Sequence, residues 1–349
     1  MPNLRDRLRR IQEQKTVKTY ENTVSKNNLE GWETCGFNVL KRVVTVPSVL
    51  YKIKKLPDAL PVIIPDLKKI PDIGDFVFFD LETSGLSMGA GTVAFLAAFG
   101  RITGKQLSIK QYLLLDYSGQ NDFLENVIGE FKYKKDVIVS YNGKCFDAQI
   151  IKTMCLMNRI KPPEYNHADL LYPARRLWKS IIQDCSQGSI ERNILGIHRN
   201  NDIPGVLAPD IWFDFLKTGR TERLIGICNH NCYDISGLSS ILDKMISIAN
   251  DPFDSKHKYD IERLALYCRK YLSYSEDLSI IKNELLRHAA VKGYSQAVYI
   301  YSYEQMRNRN YREALKFVNK GLKLYDEESR QYLVLFRRKE RLEKIIAKC

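Results

Sequence analysis

The chain has 349 residues, of which 44% are hydrophobic and 27% charged, a balance that excludes a disordered or fibrous polypeptide and fits a globular one. A single core seldom grows past about 250–300 residues, so two domains are expected. The 54 Lys and Arg against 41 Asp and Glu give a net charge of +13, which favours a polyanionic partner, either nucleic acid or an anionic membrane surface.

The N-terminal MPNLRDRLRRIQEQK has basic residues but no apolar core behind them, so it does not read as a secretory leader. Its LRDRLRRIQEQ part reads as a short amphipathic helix. The apolar stretch near 86–99 is too short and too rich in glycine to span a bilayer. A cytoplasmic protein with no membrane attachment is therefore expected. The cysteines include no C-x-x-C pair. Cys228, His230 and Cys232 alternate with other residues, but the spacing is wrong for a zinc knuckle and no second pair follows. Reduced thiols are the expected state.

TCGFNVLKRVVTV and VPSVLYKIKK, between 33 and 55, read as strands with basic faces, and residues 1–70 are taken as a basic N-terminal segment with a helix and short strands. Pro57, Pro61, Pro65 and Pro71 punctuate a stretch that reads as an extended linker. Strands are then expected at 75–83, 94–102 and 105–116, joined by short links as in an antiparallel meander. A helix over 121–134, an apolar strand over 136–142 and a helix over 146–158 follow. This order describes an α/β domain over 71–250 built on a mixed sheet flanked by helices. From 256 to 349 the pattern is helical throughout. Within 295–326, Tyr311, Ala314, Val318 and Gly321 recur at intervals of three and four, which resembles a tetratricopeptide repeat, with 261–285 as a degenerate neighbour.

The acids carry the chemistry. On a strand, residues two apart share a face, so Asp80 and Glu82 project together while Phe79 and Leu81 point the other way. Two carboxylates held close repel unless a cation lies between them, and a hard divalent cation is the natural remedy. Asp147 follows the strand over 136–142 and opens a helix, which places it at the carboxyl edge of the sheet. On the late helix over 222–245, His230 and Asp234 are four apart and share a face.

DLET, then N-x-x-x-F-D, then His four residues before Asp resemble, in this order, the three motifs of the DEDD exonucleases, the DnaQ-like branch of the ribonuclease H-like superfamily. DLETSGLSMGAGTVAF, HADLLYPARRLW, ILGIHRNNDIPG and HNCYDISGL resemble segments of its YprB-type members, some of which carry tetratricopeptide-like helices. The resemblance covers about 75–245. It implies a ribonuclease H-like fold and a two-metal 3′–5′ exonuclease acting on DNA or RNA. Two Mg²⁺ or Mn²⁺ ions would be held by Asp80, Glu82, Asp147 and Asp234, with His230 taking the proton of the attacking water. In one respect the chain departs from the pattern. The family places His five residues before the last acid or Tyr four before it; here His230 stands at the Tyr spacing and Asn229 at the His spacing.

By the same resemblance, Thr83 and Gly85 would meet a terminal nucleotide through backbone amides, Leu86 would wedge beside a base, and Asn142 would hold a sugar or support the metal ligands. Asp169 reads either as a further supporting acid or as a helix cap. Arg175, Arg176 and Lys179 are phosphate candidates by charge and fork geometry. Lys41, Arg42, Lys52, Lys54 and Lys55, and the run Arg337, Arg338, Lys339, are weaker ones. The expected partner is a single-stranded 3′ end of DNA or RNA, with a protein partner on the C-terminal helices. The alternatives are an adaptor with weak or no catalysis and a structure-specific endonuclease.

Overall fold

The computed structural model describes residues 29–85, 91–131, 133–271 and 276–348. The short helix read near the N-terminus and Leu86 lie outside the described residues. Strands β1 (Glu33–Gly36), β2 (Val39–Pro47), β3 (Phe76–Thr83), β4 (Ala94–Thr103), β5 (Gln106–Leu114), β6 (Val137–Ser140) and β7 (Asn166–Asp169) form one sheet. Its order is β1-β2-β5-β4-β3-β6-β7. The expected meander is present: β3, β4 and β5 run antiparallel. β6 and β7 add in parallel beside β3, so the sheet is mixed. All four residues of β6 are buried, as its uninterrupted apolar run requires of a strand covered on both faces.

The basic strands near the N-terminus are not set apart from this sheet. β2 pairs with β5 over nine residues, from Val39 opposite Leu114 to Pro47 opposite Gln106. The stretch expected to be an extended linker also differs. Pro61 falls in the first turn of α1 (Leu60–Ile63), where a missing N–H costs nothing. Leu60, Val62, Ile63 and Ile64 are buried. The prolines mark where the backbone turns, but the apolar residues between them decide that the segment joins the core.

Helices α2 (Gln120–Gly129), α3 (Asp147–Met157), α4 (Leu171–Trp178), the short α5 (Gln187–Ile190), α6 (Ala208–Thr218) and α7 (Glu222–Asn250) flank the sheet. α5 continues into a π-helical turn, Glu191–Leu195. Each face of β3 feeds a separate core. Phe79 and Leu81 pack with Phe95, Phe123 and Trp212 on the side of α2 and α6. Phe76 and Phe78 pack with Ile235, Leu238 and Trp178 on the side of α7. Each such buried large side chain contributes roughly 1.5–3 kcal/mol. α7 lies close against the sheet because residue 100 on β4 is glycine: a Cβ there would stand 2.5 Å from the Ile235 side chain.

Beyond the sheet, α8 (Ile261–Tyr271), α9 (Glu276–Lys292), α10 (Ser295–Arg307), α11 (Tyr311–Leu322) and α12 (Arg330–Ile346) form the C-terminal helical region. Ala314, Val318 and Leu335 are buried where α11 meets α12. Two arginines read as phosphate candidates serve packing instead. Arg176 donates to the Ile63 carbonyl at 2.9 Å and lies 3.4 Å over the Tyr267 ring, joining α4, α1 and α8. Arg338 is buried between Tyr299 and Tyr303 and donates to the Tyr299 carbonyl. A guanidinium covers aromatic faces well, and sequence position alone does not distinguish that use from phosphate binding. Among the described residues no helix is long and apolar enough to cross a membrane.

Candidate metal and active site

Three elements bring four carboxylates to one place. Asp80 and Glu82 lie on the β3 face that meets α7, with Glu82 buried. Asp147 is the first residue of α3 and is buried. The cap position before it is Phe146 and no side chain caps that end, so the Asp147 carboxyl is not spent on capping. Asp234 comes from α7, one turn after His230.

The electrostatics report how close these groups are. Burial, and then the charges of Asp234, Asp147 and Glu82, raise the Asp80 carboxyl well above the usual range. Burial, then Asp234, Asp147 and Asp202, do the same to Glu82. Asp147 is pushed up to about 8, by burial first and then by Asp169 and Asp234. Burial also raises Asp234, against the opposing pull of His230 and Arg199. Ligand atoms of Glu82, His230 and Asp234 all lie within 4.8 Å of one another. This donor set fits a hard divalent cation: oxygen-rich, short of positive charge, and with one imidazole at its edge. The site would be relieved of its repulsion by such an ion.

His230 is fixed from both sides. Its Nδ1 is 2.8 Å from Asp202 Oδ1 and its Nε2 is 3.2 Å from Asp234 Oδ2. Residue 205 faces the ring and is glycine; a Cβ there would approach Nε2 to 2.8 Å. Asn229, at the alternative His spacing, turns away and accepts from Arg42 at 3.1 Å. The helix thus directs residue 230, not 229, at the acids.

Two supporting networks went unread in the sequence. In the first, Arg199 forks onto Glu191, Nε to Oε2 and Nη2 to Oε1, both at 2.7 Å. Its Nη2 also donates to Asp234 Oδ1 at 2.8 Å. Gln187 Nε2 donates to the Asp234 carbonyl at 2.8 Å. In the second, Arg42 Nε donates to Gln111 Oε1 at 2.6 Å. Gln111 Nε2 donates to Asn231 Oδ1 at 2.7 Å and to the Cys228 carbonyl at 2.8 Å. Asn231 Nδ2 in turn donates to Asp80 Oδ2 at 2.7 Å. Gln111 and Asn231 are fully buried. Arg199 and Asp202 lie within ILGIHRNNDIPG, a segment outside the three acid motifs. Asn231 had a readable signal, since it stands three residues before Asp234 on the same helix.

The other expected residues divide. Asp169 is buried and accepts from the backbone N–H groups of Asn142, Lys144 and Leu171 at 2.8, 3.1 and 3.0 Å. It therefore holds the loop that leads into Asp147. Asn142, in that loop, is exposed and has φ +65°. The Thr83 hydroxyl donates to the Gly85 carbonyl at 2.7 Å, which shapes the turn after β3. Arg175 is exposed on α4.

The strand order and the placement of acids on the central strand, on the parallel strand's exit helix and on the late helix define a ribonuclease H-like fold. Residues 77–246 match the family described as the RNase H superfamily. The chain is 36% identical over 189 residues to the YprB protein of Bacillus subtilis (strain 168), a match covering 52% of this chain and 45% of that protein. The chain thus spans less than half the length of the curated relative it matches. Among solved structures, E. coli exonuclease I in complex with a dT13 oligonucleotide is similar at 18% identity and a TM-score of 0.31, over 44% of this chain and 42% of that one. The family B DNA polymerase of the archaeon Pyrobaculum calidifontis is similar at 12% identity and a TM-score of 0.38, over 77% and 45%.

Proposed function

We propose that the chain is a divalent-metal-dependent nuclease of the DEDD type, a 3′–5′ exonuclease that hydrolyses phosphodiester bonds of DNA or RNA. The observation that carries this is the convergence of Asp80, Glu82, Asp147 and Asp234 from remote parts of the chain into a largely buried cluster in which neighbouring charges raise the pKa values of Asp80, Glu82 and Asp147. Such clusters are costly unless a cation completes them. These four acids would hold two Mg²⁺ or Mn²⁺ ions. Bound there, the ions would supply charge neutralisation at the phosphate and a more acidic water.

The protein's own groups do the rest. With Nδ1–H donating to Asp202, the His230 ring would turn its Nε2 lone pair toward the acids and take up the proton of the attacking water there. Asp202 stabilises the imidazolium that forms. Arg199 and Gln187 fix the position of Asp234. Asn231 fixes one oxygen of Asp80 and leaves the other free to bind. The C-terminal helices, read as tetratricopeptide-like, offer a surface for a protein partner.

A second reading has one observation in its favour. Arg199 already partly neutralises Asp234, so a nucleic-acid-binding adaptor with weak catalysis would tolerate this cluster. The deciding experiment incubates the purified chain with 5′-labelled single strands of DNA and RNA, and with circular single strands, in Mg²⁺, Mn²⁺ or EDTA. The expected result is a ladder on linear strands that disappears with EDTA and in Asp147→Asn. Cutting of circles would mean an endonuclease. No metal-dependent product on any linear or circular strand, or on a branched duplex incubated alongside, would overturn the nuclease reading in favour of the adaptor.

A further inference from the structure

A groove of about 690 Å³ lies against β6 and β7, the far edge of the sheet. Its rim carries Lys68, Lys69, Lys134, Lys135 and Lys144, against the two acids Asp66 and Asp75. The acids are spoken for. Asp75 pairs with Lys135 at 2.7 Å and Asp66 with Lys144 at 2.6 Å. Lys68, Lys69 and Lys134 are exposed and make no ion pair among the described residues. His167, also in the wall, is held neutral by burial, its pKa lowered to about 4. The groove therefore presents three uncommitted positive charges over a concave floor.

Its position matters as much as its charge. Lys144 lies three residues before Asp147, in the loop that Asp169 holds. Lys134 and Lys135 stand at the opposite end of β6. The four residues of β6, at about 3.3 Å each, span roughly 13 Å. A second concavity, of about 500 Å³, shares Lys144, Tyr165 and His167 and continues over α3 to Lys152. This basic track thus runs from the sheet edge to Lys144, three residues before Asp147 in the chain.

We infer that this lysine-rimmed groove is the path of the sugar-phosphate backbone of a single nucleic-acid strand, leading away from the acid site across the β6–β7 edge. The inference rests on the nuclease reading for its direction. A concave track with free ammonium groups along its rim suits a flexible polyanion better than a flat membrane surface. Lysine contacts of this kind bind phosphate without reading bases.

The test compares the full-length chain with Lys68→Gln/Lys69→Gln/Lys134→Gln and with the corresponding triple Arg variant. Binding of labelled oligothymidylate and oligouridylate is measured by anisotropy across a salt series. Three lost contacts should flatten the slope of log affinity against log salt by about 2, at about 0.7 per contact with a single strand. The Arg variant should keep the parent slope, which separates charge from misfolding. In parallel, hydrolysis of bis(p-nitrophenyl) phosphate in Mn²⁺ is followed; it occupies only the acid site and should be equal in all three proteins. An unchanged slope in the Gln variant, or no binding of oligonucleotides by the parent chain, overturns the inference. So does a loss in the Gln variant confined to co-sedimentation with phosphatidylserine vesicles, measured alongside, which would make the groove a membrane contact. Absence of diester hydrolysis in the parent chain would count against the nuclease reading alone, because the slopes are read without catalysis.

Discussion

Replacing Asn231 by Leu removes an amide that makes two hydrogen bonds at once, a part-buried one to Asp80 and a buried one from Gln111. The shapes are similar, so the cost is polar. Gln111 is left with a buried donor unmatched, worth about 1–3 kcal/mol, and the Asp80 carboxylate loses a donor worth about 1.5–3 kcal/mol. Asn231→Leu should therefore destabilise the fold by about 3–5 kcal/mol. Gln111→Leu should cost a similar amount, because it orphans Asn231 and releases Arg42. The double variant orphans neither amide. Its cost should fall short of the sum of the singles by about 0.5–3 kcal/mol. Denaturant unfolding of all four proteins, followed by tryptophan fluorescence and circular dichroism, measures this cycle. Asp80 freed of its donor should also lower diester hydrolysis by about 10²-fold, the usual consequence of a misplacement near 1 Å. Additivity within about 0.5 kcal/mol, with hydrolysis unchanged, would refute the view that the relay from β2 to β3 holds Asp80 in place.

Three further outcomes are expected. Asp202→Asn should lower kcat by about 10²-fold or more with KM little changed, since the His230 tautomer is then no longer set; steady-state kinetics that show less than a tenfold loss would exclude Asp202 as the orienting group. Asp147, whose folded pKa of about 8 lies above its unfolded value, binds its proton more tightly when folded. Its stabilising contribution is complete below about pH 4 and is lost as pH rises through about 8, so the metal-free chain in EDTA should lose stability from about pH 4 to about pH 8, and Asp147→Asn should flatten that trend in thermal scans. Added Mn²⁺ should raise the unfolding temperature more at the higher pH, because it displaces those protons. Arg176→Ala should destabilise the chain by about 1–3 kcal/mol through loss of the Ile63 bond and the Tyr267 stack, yet leave oligonucleotide binding unchanged.

Local pattern was enough to place the central strands and the helices after them. β3, β4 and β5 each begin within one residue of the expected start, because alternation and turn residues are short-range signals. The acids of the site were legible for the same reason: two on one strand, one at a strand exit, one a helical turn from a histidine. The supporting network was not, because it joins residues far apart. Gln111 meets Asn231 across 120 positions and Arg42 meets Asn229 across 187, and nothing local in a glutamine on an apolar strand marks it as an orienting group. Arg176 and Arg175 are neighbours in sequence with the same chemistry; only the fold sends one to the Tyr267 ring and leaves the other in solvent. The prolines between 57 and 71 misled in the opposite direction, since the signal that breaks regular structure does not say whether the broken segment is exposed.

The missing side chain at residue 100 reaches further than its own neighbourhood. Because α7 rests almost flush on β4 there, the helix's height above the sheet sets how far Asp234 and His230 stand from Asp80 and Glu82. A methyl group at that point would lift one wall of the acid pocket as a rigid piece. The metal binding and proton transfer proposed for the site would then weaken together, through an atom that takes part in neither.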